Sequence, residues 1–157
     1  MSQRQPRLSR IDAPPCDGGA PMPVVLQDDG MLVFAYRVAG ARQSDGHSVA
    51  VAVVDRCTIA TFGYPNDEAL HGHRYAGIGL ECYNAYEVVD SEWIESIMIA
   101  NRAHSHHSDD LFRSQRHFIF AFHDSTLEFI ALEMPKFELV SGEVFGVVET
   151  AYKAWRR

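Results

Sequence analysis

The chain is poor in several things, and each shortage narrows its chemistry. It has three cysteines, Cys16, Cys57 and Cys82, an odd number with no CxxC spacing. A disulfide framework and a thiolate zinc site are therefore not expected, and a reducing cytoplasm fits best. Positive charge is scarce: 14 Lys and Arg stand against 21 Asp and Glu, for a net charge of −7 with neutral histidine. That balance argues against nucleic acid and against an anionic membrane, which both favour a basic face. No apolar run reaches the roughly 18 residues that cross a bilayer. The N-terminal stretch has arginines but lacks the apolar segment of a secretory signal. There is no Walker A, no HExxH, and "GIGLE" (77–81) lacks the third glycine of a dinucleotide fingerprint.

What the chain does have is a core. Of its 157 residues, 46% are hydrophobic and 22% charged, which suits one folded domain. Residues 1–21 carry Pro6, Pro14, Pro15, Gly18, Gly19 and Pro21 and little to bury, so they read as a flexible tail ahead of a single domain over 22–157. Strands are expected at 23–27, 31–38, 47–55, 57–63, 81–89 and in a hairpin over 117–132, with a loop over 39–46. Asn66 suits the N-cap of a short helical turn, with Asp67 and Glu68 at its positive end and Gly72 at its stop. Asp90 caps a helix carrying Ile94, Ile97 and Met98, and Ser108 caps a shorter one. Val144, Val147, Val148, Ala151, Tyr152 and Trp155 recur at helical spacing at the C-terminus. The sum is an α+β fold: a mostly antiparallel sheet of six or seven strands packed against two main helices.

The stretch "HFIFAFHDSTLEFIAL" (117–132) combines a core strand pair with reactive side chains. A turn at Asp124-Ser125 pairs His123 with Thr126 and Ala121 with Glu128. One face then carries Phe118, Phe120, Phe122, Leu127 and Phe129. On the other face His123 and Glu128 become diagonal neighbours, within side-chain reach. An imidazole beside a carboxylate can be an oriented general base or half of a divalent-metal site. The bland alternative is that turn chemistry alone explains these polar residues.

Seven histidines fall between positions 71 and 123: His71, His73, His104, His106, His107, His117 and His123. His71-x-His73 lacks the glutamate that follows in a cupin motif, and "HSHHSDD" (104–110) misses the metallo-β-lactamase spacing. His104, His106 and His107 read as a polar loop between helices. Ser125 lies near His123 without the setting of a nucleophile elbow. If a metal binds, His71, His73, His123 and Glu128 are the expected ligands, a set suited to Zn, Fe(II), Mn or Ni.

"FGYPNDEALHGH" (62–73) together with "HFIFAFHDSTLE" (117–128) resembles motifs of small uncharacterised bacterial proteins of this length. The resemblance covers about 62–132. It implies a site shared by the two motifs and no particular reaction.

Two functions follow as expectations. The first is a small enzyme acting on a small polar substrate by hydrolysis, lyase-type proton transfer or isomerisation. His123, Glu128 and Asp124 would be catalytic, while Tyr64, Asn66, Asp67 and Ser125 would contact substrate. A divalent metal would assist in one version. The second is a non-catalytic module that binds a protein partner or forms a homodimer, its acidity suiting a basic partner such as a toxin and its tyrosines and Trp93 suiting an interface.

Overall fold

Met31–Arg37 is apolar at almost every position, a pattern that suits a strand covered on both faces. The computed structural model describes residues 4–40 and 48–157, and in it both faces are covered. Leu32, Phe34 and Tyr36 point to one side, into a core shared with Phe118, Phe120, Leu127 and Phe129. Met31, Val33 and Ala35 point to the other, against Val144 and Val148 of the C-terminal helix.

The architecture is α+β with two antiparallel sheets. One has four strands in the order β2 (Val24–Gln27), β3 (Met31–Arg37), β4 (Val49–Asp55) and β9 (Lys136–Val140). The other has five, in the order β1 (Arg7–Arg10), β6 (Ala85–Val89), β7 (Arg116–Ala121), β8 (Thr126–Ala131) and β5 (Cys57–Gly63). The sheets pack face to face through aromatic rings. Phe34 meets Phe120 at 5.0 Å and Phe129 at 5.7 Å between centroids. Each Phe buried this way stabilises the fold by roughly 1.5–3 kcal/mol. Helix α3 (Val144–Trp155) covers the far face of the four-stranded sheet. Two short 3-10 segments, Asp67–Gly72 and Ala76–Ile78, lie on the far face of the five-stranded sheet. Leu70, Tyr75 and Leu80 there pack on Tyr86, Val88 and Ile119. Helices α1 (Glu92–Asn101) and α2 (Asp109–Arg113) connect β6 to β7. Among the described residues no helix is long and apolar enough to cross a membrane.

Four expectations need correction. Among the described residues the strands number nine in two sheets, where a single sheet of six or seven was expected. The phenylalanine face of the hairpin is covered by the second sheet and not by helices. The two unexpected strands, β1 and β9, are edges whose Arg7, Arg10, Lys136 and Glu138 obscure an apolar pattern, as edge strands commonly do. Arg7–Arg10 lies within the stretch expected to be a flexible tail, yet pairs along its length with Tyr86–Val89. The residues after it bond to both sheets. Ile11 donates its N–H to the Ala85 carbonyl at 3.0 Å, and Asp17 donates to Arg37 at 2.9 Å. Finally, Ser91 and not Asp90 caps α1, its hydroxyl accepting the Ile94 N–H at 3.3 Å. Asp90 takes a left-handed turn (φ 59). Most of the loop expected over 39–46 lies outside the described residues.

Candidate functional site

The site residues hang on the β7–β8 hairpin, so its register decides which of them meet. Ala121 pairs with Thr126, Ile119 with Glu128 and His117 with Ile130. The expected pairing ran two residues further along. The turn is His123-Asp124, closed by Phe122 N–H donating to the Ser125 carbonyl at 2.8 Å. A two-residue slip leaves every side chain on its expected face, because the strand period is two. It does change the diagonal neighbour of Glu128, which becomes His117 in place of His123.

Glu128 is therefore the centre of one buried cluster. It is 7% exposed and accepts three hydrogen bonds: from His73 Nε2 at 2.8 Å, from Arg74 at 2.6 Å and from His117 Nε2 at 2.9 Å. The tautomers follow from the partners. Tyr75 N–H donates to His73 Nδ1 at 3.2 Å, so the His73 proton is on Nε2. Ser91, already accepting the Ile94 N–H, donates its hydroxyl to His117 Nδ1 at 2.8 Å. Trp93 and Tyr75 set ring edges against His117, and Arg74 lies over the Tyr75 ring. Burial pushes the Glu128 carboxyl up, but the bonds from His117 and His73 and the Arg74 charge outweigh it and hold the group at about 2. Burial pushes His117 down, which keeps the ring neutral.

His123 belongs to a second, more open cluster. Its Nδ1 lies 2.8 Å from Asp67 Oδ2 and 3.0 Å from the Tyr83 hydroxyl. Tyr83 also donates a short hydrogen bond to that same Asp67 oxygen. A carboxylate only accepts, so Nδ1 carries the proton and Nε2 of the neutral ring keeps its lone pair. The His123 side chain is 37% exposed, and the Nε2 contact is Asp124 Oδ1 at 3.8 Å. Local folding fixes the pair: Asp67 N–H donates to the His123 carbonyl at 2.8 Å, and the Thr126 hydroxyl to Pro65 at 2.9 Å. Tyr83 has φ 61, a left-handed backbone that bulky side chains rarely adopt, and its ring lies nearly parallel to His123. The Tyr83 hydrogen bond, helped by His123, holds Asp67 below the ordinary carboxylate range. The Asp67 hydrogen bond in turn pushes the Tyr83 phenol up to about 12.

The four expected metal ligands thus do not share one site. His73 and Glu128 meet in the first cluster, His123 sits in the second, and His71 is exposed on the 3-10 turn. Among the described residues no three His, Cys, Asp or Glu side chains are grouped to hold a metal ion. Of the expected substrate contacts, Asn66 spends its side chain capping the 3-10 turn through the Ala69 N–H at 3.2 Å, and Ser125 is 8% exposed. Tyr64 stands out at 83% exposed. His107 bonds Asn101 and Asp109, which ties down the loop between α1 and α2. Tyr83, Ser91, Arg74 and the pairing role of His117 were not read from the sequence. His117 had a legible signal, since it shares the alternating face of Glu128. Tyr83 had none, because its place depends on a backbone conformation.

Comparison with protein-family models, with curated proteins and with solved structures gives no match.

Proposed function

We propose that the chain is a small acid–base enzyme in which His123 is the general base and Asp67 orients it. The observation that supports this reading is the hydrogen-bonded order Tyr83–Asp67–His123, with one ring nitrogen held by a carboxylate and the other on the open side. A carboxylate on Nδ1 fixes the tautomer and stabilises the imidazolium formed when Nε2 takes a proton. Tyr83 shares the Asp67 oxygen and keeps the carboxylate in place. The reactions within reach are hydrolysis through an activated water, or proton abstraction from a small polar substrate. Glu128, expected to orient His123, has its capacity filled by His73, Arg74 and His117, so its part is to hold the fold beneath the site. Purified chain screened against small esters, amides and enolisable carbonyl compounds tests the reading. Activity found there should fall about 10²–10⁴-fold in His123→Ala, the usual worth of a general base. A correctly folded variant that keeps full activity would overturn it.

A second reading, an interaction module, is favoured by the edge strand β5. Its seven residues, "CTIATFG", contain no charge and no proline, although a bulge lies at Thr58. Phe62 is 46% exposed there. Edge strands are usually blunted by charge, and an unblunted one invites pairing with another chain. Light scattering during size exclusion checks it: a dimer that becomes a monomer in Thr61→Lys supports the module, and a monomer at all concentrations opposes pairing between copies.

A further inference from the structure

Strand β5 ends the five-stranded sheet, and among the described residues no strand pairs with its outer side. The three other sheet edges are blunted. β1 carries Arg7 and Arg10, β9 carries Lys136 and Glu138, and β2 is four residues long and follows Pro23. β5 has neither charge nor proline, and no charged residue stands between Arg56 and Asp67. Two copies of a chain with net charge −7 can therefore meet along this stretch without setting like charges opposite each other.

Backbone alternation shows which groups face outward. Ala121 accepts from the Tyr83 N–H at 2.7 Å and donates to the Asn84 carbonyl at 3.1 Å, so its backbone points toward β6. Its partner across the hairpin, Thr126, then points away from β7 and toward β5, and Glu128 and Ile130 follow at a period of two. Their β5 partners Gly63, Thr61 and Ile59 spend their backbone groups on β8. Ala60 and Phe62 are left with N–H and C=O on the open edge. The bulge at Thr58 ends the regular ladder, which runs over 59–63 and is centred on Thr61.

We propose that this edge pairs with the same edge of a second copy, antiparallel, about a two-fold axis at Thr61, which joins the two five-stranded sheets into one. The proposal rests on the interaction reading of β5 and is independent of the acid–base reading of His123. An axis at Thr61 sets Ala60 opposite Phe62 of the other copy, and these are the residues whose N–H and C=O point outward. It also lays the Phe62 ring, 46% exposed in the single chain, over the small Ala60 side chain on the same face and so takes it out of water. Thr61, itself exposed, meets its own counterpart at a non-hydrogen-bonded position, where Cα atoms approach to about 4.5 Å. An unrelated strand would have to match this stagger of large and small side chains by chance. A second copy matches it by symmetry.

Light scattering and amide hydrogen exchange on the full chain, each over a range of concentration, test the pairing. A mass shifting from one chain to two is expected, with exchange of the Ala60 and Phe62 amides slowing in step. Oxidised Thr61→Cys should run as a covalent dimer on a denaturing gel, since that separation suits a disulfide, while Phe62→Cys and the unaltered chain should not. A single-chain mass at millimolar protein, with both amides exchanging fast, would overturn the proposal and with it any pairing between copies through β5. A dimer that Thr61→Lys dissolves, but that links through Phe62→Cys and not through Thr61→Cys, would overturn the axis and leave the interaction reading standing. If a cysteine variant misfolds, exchange in the unaltered chain decides. Concentration-dependent protection at Ala60 and Phe62 supports the proposal, and protection confined to other strands sinks it.

Discussion

Two carboxylates in this chain do different work because their surroundings differ. Glu128 is buried and has its acceptor sites filled, so it stabilises. Its carboxyl lies at about 2 when folded, against 4.5 when free. The unfolded chain therefore takes up that proton first. The contribution is complete above pH 4.5 and disappears as pH falls toward about 2, a loss on the order of 3 kcal/mol. His117 adds to the same trend from a higher pH. Its folded value lies below the ordinary 6.5, so below 6.5 the unfolded chain again holds more protons and stability falls on acidification. Melting temperatures measured from neutral to acid pH should fall in these two windows. Glu128→Gln should remove the lower one and cost about 1–3 kcal/mol near neutrality, since the amide keeps one acceptor oxygen and leaves a buried imidazole N–H without its partner. Asp67 is less enclosed and bonds to Tyr83 and His123 in place of filling a buried cluster. Asp67→Asn should bring the Tyr83 phenol down from about 12 toward its usual 10, visible in ultraviolet titration of tyrosinate with no substrate needed. Should the screen find an activity, the same variant should lower it about 10²–10⁴-fold.

At the scale of elements, α1 and the β7–β8 hairpin are coupled through one hydroxyl. Ser91 accepts the Ile94 N–H that begins the helix and donates to His117 inside the sheet. Ser91→Ala removes a cap and leaves a buried ring nitrogen unpaired. Chemical denaturation should show a loss of about 2–3 kcal/mol, above the roughly 1 kcal/mol usual for a cap alone. The hairpin also shows where sequence reading stops. Alternation identified both strands and the core face of Phe118, Phe120, Leu127 and Phe129 correctly, because that depends only on a period of two. The register depends on where the turn closes. His123-Asp124 wins over Asp124-Ser125, with the His123 ring and carbonyl both bonded to Asp67, a residue 56 positions away. No local rule contains that contact. Asn66 as a cap and α3 as an amphipathic helix were legible for the opposite reason, since each is settled within a few neighbouring residues.

For the molecule as a whole, the α+β class was legible and the layering was not. A continuous apolar strand such as β3 signals cover on both faces, but not whether a helix or a second sheet supplies it. Here α3 covers one side and the five-stranded sheet the other, with Phe34 at the junction of Phe120, Phe129 and Phe137. Phe34→Ala should cost about 3–5 kcal/mol in equilibrium unfolding, at the upper end for a core truncation.

The pairing of β4 with β9 has a consequence for how the chain comes off the ribosome. Val49 waits for Val140, and the helix that shields Val33 and Val51 begins only at Val144. Until residues 136–155 have emerged, the valine-rich strands in the middle of the chain lack that partner and that cover. Such long-range pairings are slow to form. An emerging polypeptide with this order of strands would lean on a holding chaperone, and amino-acid changes that shorten that exposure would raise its yield in cells without altering the finished molecule.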